Sequence, residues 1–211
     1  MEFQLEAMAI EMPEVSRHPN RLPFRGVLTL VDTPSDQPPQ GAREHRVLLT
    51  REAAEKALPS LLGMALDYTP ALDAHDAKRK VGIITSADVV ESSALGRRPS
   101  VATSTVRPTT DDQRPTTVLE VSGYLFAKDF PEVVRELRLH ASRLGMSYEI
   151  SDARVQNVHA SVWTLTEVTF TGAAILRREK AAYRETWIAL EESSAVGPRS
   201  SVTAVPTEVR A

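Results

Sequence analysis

The chain has 211 residues, no cysteine and nearly balanced charge, with 25 lysines and arginines against 28 aspartates and glutamates for a formal net charge of −3. That length suits one core of about 100–200 residues, and the lack of cysteine excludes a disulfide framework, thiolate metal ligation and a cysteine nucleophile, as suits a reducing cytoplasm. The two charge signs are interspersed and form no basic face of the kind a phosphate backbone needs, so nucleic acid is not an expected partner.

In chain order, Met1 to Pro13 carries Glu2, Glu6 and Glu11 where a secretory signal needs basic residues followed by an apolar block. Nowhere do about 18 apolar residues run together, so a soluble chain without a membrane partner is expected. His18 stands in a turn-like His18-Pro19-Asn20 segment, and Arg25–Val31 has the β-branched pattern of a strand. The Pro-rich stretch from Asp32 to Arg43 is a predicted loop, followed by His45 in a charged run. Thr50 is placed to cap a helix through Glu52, Ala53, Ala54, Lys56, Ala57 and Leu58. The segment Leu72-Asp73-Ala74-His75-Asp76 then forms a loop edge between that helical region and the predicted strand Val81–Val90.

A second loop, polar and Pro-rich, is expected from Ser92 to Thr117, and a strand over Val118–Phe126. Asp129 and Pro131 mark a helix start whose apolar face holds Val133, Val134, Leu137 and Leu144, with His140 on its flank. In Leu144-Gly145-Met146-Ser147-Tyr148-Glu149-Ile150, a glycine precedes a short strand from which Ser147 projects. Trp163–Leu176 is a further strand candidate, a third helix is predicted from Arg177 through Ala181, Tyr183 and Trp187, and a polar tail follows from Ser193 to Ala211. The expected class is α+β dominated by strands, with one domain over residues 1–190 and a tail over 191–211.

A serine hydroxyl becomes a useful nucleophile when a neighbouring base takes its proton and a third group holds that base in the right tautomer. Of the five histidines, His18, His45 and His140 read as exposed or structural, whereas His75 sits where a side chain can face a groove. For the third group, Glu167 is an acid inside an otherwise apolar strand; it either faces water on a sheet edge or is buried with a partner. His159, Glu149 and Asp152 are rivals. Arg177 and Arg178 end the same strand and are either a solvated helix start or stabilisers of an oxyanion.

Taken in order, these segments resemble the prohead proteases of tailed phages, which are related to the herpesvirus assemblin proteases. The likeness covers about residues 45–185. It runs from His75 and the strand through Val81-Gly82-Ile83-Ile84, by way of Val121–Tyr124 and Phe130-Pro131-Glu132, to Leu144-Gly145-Met146-Ser147 and Thr166-Glu167-Val168-Thr169-Phe170. Glu149 departs from the pattern, because the family usually has a small residue two places after the serine, and the 92–117 loop is long.

The resemblance implies a mainly antiparallel β-barrel flanked by helices, with no metal or organic cofactor. It implies a serine endopeptidase that cleaves scaffold proteins or extensions of the major capsid protein inside an assembling procapsid in the host cytoplasm. Ser147 is then the nucleophile, His75 the general base and Glu167 its orienting acid, with Arg177 and Arg178 near the oxyanion; the tail suits self-processing, and a homodimer stays open. A non-enzymatic capsid or scaffold component with the same fold is the alternative. A metal hydrolase using His75, Asp76 and His159 is disfavoured, because no pairing on one helix presets two ligands.

Overall fold

Eight strands and two helices make up residues 18–91 and 116–191, which the computed structural model describes; they form a mixed α+β fold dominated by strands. In chain order these are β1 (Arg21–Leu30), β2 (Arg46–Leu49), α1 (Arg51–Ala57), β3 (Ala65–Asp67), β4 (Lys80–Glu91), β5 (Thr117–Phe126), α2 (Pro131–His140), β6 (Leu144–Val155), β7 (Val162–Arg177) and β8 (Trp187–Leu190). All eight strands join one sheet in the order β2-β7-β3-β4-β5-β1-β8, with β6 also on β7. The pairings of β2 and β3 with β7 are parallel and the others are antiparallel.

Local chemistry explains both helices. The Thr50 hydroxyl caps α1 by accepting the Ala53 amide at 3.2 Å, and Ala53, Ala54 and Ala57 turn inward. Pro59 then tightens the chain into a 3-10 turn, Leu58–Leu61. Pro131 opens α2 with its φ already helical, and Val133, Val134 and Leu137 bury one face.

The sheet curls until β6 packs over β1. At the crossing, a Cβ on Gly26 would stand 2.7 Å from the Met146 sulfur and 2.5 Å from the Trp187 carbonyl oxygen, so only glycine fits. Phe24, Leu66, Ile84, Leu119, Met146 and Ile175 fill the inside of the curl. Among the described residues no ladder joins β8 to β6 or β2, so the sheet is a curled half-barrel and not a closed barrel.

The structure corrects two predicted elements. The expected helix from Arg177 to Trp187 is absent: β7 runs to Arg177, a 3-10 turn covers Arg178–Lys180, and Trp187–Leu190 forms β8. Antiparallel pairing of β8 with β1, from Val27↔Trp187 to Phe24↔Leu190, overrides the helix propensity of this charged stretch. Leu144 opens β6 instead of extending the apolar face of α2. The 32–43 loop is present, and β5 takes Thr117 from the end of the second predicted loop. The rest of that loop, 92–115, and the tail from Ser193 lie outside the described residues. Among the described residues no helix is long and apolar enough to cross a membrane.

Candidate active site

Strand β7 organises the candidate site. Its Ala174 is level with Ser147 of β6 on one side and with Asp67 of β3 on the other. Residues level with one another on adjacent strands share a face, so Ser147, Ala174 and Asp67 point to the same side of the sheet. Glu149, two residues beyond Ser147 and opposite Gly172, joins them. Met146 and Tyr148 alternate to the other face, where Met146 is in the core and the Tyr148 ring meets Phe170 edge-on with centroids 5.4 Å apart. At about 4.8 Å per strand spacing, the Ser147 and Asp67 backbones lie roughly 10 Å apart.

His75 is carried by the loop from β3 to β4. The loop folds back because the Arg177 amide donates to the Leu72 carbonyl at 2.8 Å and the Asp76 amide donates to Asp67 Oδ1 at 3.2 Å. His75 Nδ1 comes to 3.6 Å from Asp67 Oδ1 and 3.9 Å from Glu149 Oε1, with the side chain 17% exposed. These separations exceed a hydrogen bond, and neither ring nitrogen has a hydrogen-bond partner although both are buried. Such orphaned groups cost about 1–3 kcal/mol each and call for a reason.

Asp67 is 1% exposed and accepts Lys80 Nζ at 3.1 Å. Burial pushes its carboxyl up, but the neighbouring His75 ring together with the hydrogen bonds from Lys80 and the Asp76 amide outweighs burial and holds it below the ordinary carboxylate range. Asp67 is therefore a buried anion facing the ring. Glu149 reaches the ring because a Cβ on Gly172 would stand 2.6 Å from its Oε2; the glycine leaves room for the carboxylate to lie across β7.

The structure therefore brings His75 to Asp67 and Glu149, on the sheet face that also carries Ser147. It does not bring Glu167 there. Glu167 lies seven residues before Ala174 on β7, roughly 20 Å along the strand, where Arg154 at 2.9 Å and Lys56 at 3.3 Å hold its carboxylate. Those surface cations provide the partner that an acid in this strand needs.

His159 is exposed in the β6–β7 turn, and Asp152, with φ of 51°, accepts the Ser151 hydroxyl near that same end. His45 stacks on Trp163 and His140 faces Glu136. The Arg177 amide is already bonded to Leu72 and its side chain pairs with Glu179, so that amide is not free for an oxyanion. Arg178 lays its stem over Gly145, two residues before Ser147, and donates from Nε to the Leu144 carbonyl at 3.0 Å. Among the described residues no group of three or more His, Asp or Glu side chains is arranged to hold a metal, and His75, Asp76 and His159 are not brought together.

Asp67 is the residue the sequence reading missed. Its signal was an acid inside the short apolar run Ala65-Leu66-Asp67-Tyr68, which demands a partner if buried. In comparisons with known proteins, no family model, no curated protein and no solved structure matches the chain.

Proposed function

We propose that this protein is a serine endopeptidase of the prohead-protease kind, cutting scaffold or capsid-protein extensions during procapsid maturation in the host cytoplasm. One observation carries the reading: a buried imidazole with two unpartnered nitrogens, flanked by carboxylates at Nδ1, over a sheet face that presents a serine. The half-barrel, with Ser147 on one strand and His75 on a loop beside it, is consistent with an assemblin-like architecture.

In this reading the Asp67 anion keeps the proton of His75 on Nδ1, which leaves Nε2 as the base. Ser147 Oγ attacks the peptide carbonyl carbon, its proton passes to Nε2, and a tetrahedral oxyanion forms. Collapse breaks the C–N bond while Nε2 returns the proton to the departing amine, and water then releases the acyl group by the same steps. Asp67 takes the orienting role that the sequence resemblance gave to Glu167, with Glu149 as a second carboxylate stabilising the imidazolium. Arg178, whose stem lies over Gly145 two residues before Ser147, is the basic side chain to which this reading gives the oxyanion.

Co-expression with a scaffold and capsid-protein pair tests the proposal. Wild type is expected to shorten its substrate, whereas Ser147→Ala and His75→Ala lose at least about 10³-fold of that activity. Identical product patterns from all three proteins would replace it with a non-catalytic assembly component.

A further inference from the structure

A recess lies between the start of β1, the turn after β5 and α2. It is an open groove of about 680 Å³, within the range of sites that admit small ligands or several side chains. Leu22 and Val134 give it an apolar floor, and Leu139 stands on its lip 66% exposed. Arg21, Lys128, Arg135 and Arg138 surround that floor, and among the described residues no carboxylate lines it. Asp129 accepts the Asn20 side-chain amide, Glu132 accepts the Tyr68 hydroxyl while also acting on Arg135, and Glu136 faces His140, so three of the four cations have no carboxylate set against them among the described residues.

Four cations around an apolar floor select an occupant that is both acidic and apolar. Residues 1–17 fit that description. They contain Glu2, Glu6, Glu11 and Glu14 against a single basic side chain, Arg17, with Phe3, Leu5, Met8, Ile10 and Met12 interleaved. They are also tethered at the site, since residue 17 is bonded to His18, which lines the groove. A short tether gives an effective concentration on the order of millimolar, so modest contacts suffice for occupancy. We propose that segment 1–17 docks in this groove of its own chain, its glutamates facing the arginines of α2 and its apolar residues covering Leu22, Val134 and Leu139. This inference is independent of the peptidase proposal.

The chain has no cysteine of its own, so an introduced pair reports contact without background. Full-length protein carrying Met8→Cys and Leu139→Cys is oxidised mildly, and the intramolecular disulfide is quantified by peptide mass mapping. The expected yield is about tenfold above that of Met8→Cys with Leu62→Cys, which places the second thiol at another exposed leucine. The excess should vanish when Arg135→Glu and Arg138→Glu are added. It should also vanish when Glu2, Glu6, Glu11 and Glu14 are changed to Gln, a set that leaves the folded core untouched. A yield equal to the control, a yield indifferent to both charge changes, or disulfide-linked dimers in place of linked monomers would each overturn docking within one chain.

Discussion

Asp67 shows how one buried side chain links stability to the candidate chemistry. Its carboxyl is held below the ordinary carboxylate range because the neighbouring His75 ring and the hydrogen bonds from Lys80 and the Asp76 amide outweigh the upward push of burial. A carboxyl lowered in the folded state adds stability that is complete above its unfolded value and is lost as pH falls through its folded value. Asp67→Asn is therefore expected to be less stable than wild type at neutral pH by about 1–3 kcal/mol. That gap should close on acidification below pH 3.8. Urea unfolding across a pH series checks this, and a gap that stays constant to about pH 2 contradicts it. The placing of His75 at a loop edge and of Ser147 on a strand was legible, one from its position after Ala74 before the β4 run and the other from the glycine that precedes it. Glu167 misled because an acid among apolar strand residues signals a need for a partner without saying which partner. Lys56 and Arg154 supply it at the surface.

Among the elements, long β-branched runs were legible: β1, β4, β5 and β7 each lie where the alternation of the sequence put them, within a few residues. The three- and four-residue strands β2, β3 and β8 were not, since so few residues carry no periodic signal. They form because neighbouring strands offer unpaired edges, information that a local window does not hold. Gly26 illustrates such dependence on distant residues. An alanine in a strand normally gains about 0.5–1 kcal/mol over glycine. Here its Cβ would stand 2.5 Å from the Trp187 carbonyl oxygen, a backbone atom fixed by the β1–β8 ladder. Gly26→Ala is expected to destabilise by about 1–3 kcal/mol, read as a lower urea midpoint. An unchanged or higher midpoint contradicts the tight crossing of β1 by β6 and β8.

For the whole molecule, the decisive feature is that β7 pairs with three strands, two of them parallel to it and distant from it in sequence. Those pairings place Asp67, Ser147 and Glu149 on one face, and the β3–β4 loop brings His75 to the two carboxylates of that face. Strand content was readable from the chain, but this order was not, because it rests on long-range pairing. The mixed α+β class followed from content alone, whereas the half-barrel curl depends on which strands meet. Activation of the Ser147 alcohol by His75 can be read by covalent labelling with a fluorophosphonate followed by peptide mass mapping. One adduct is expected, on Ser147, unchanged in Glu167→Gln and slowed at least about 10³-fold in His75→Ala. No adduct on Ser147, or equal labelling with and without the His75 imidazole, would contradict it.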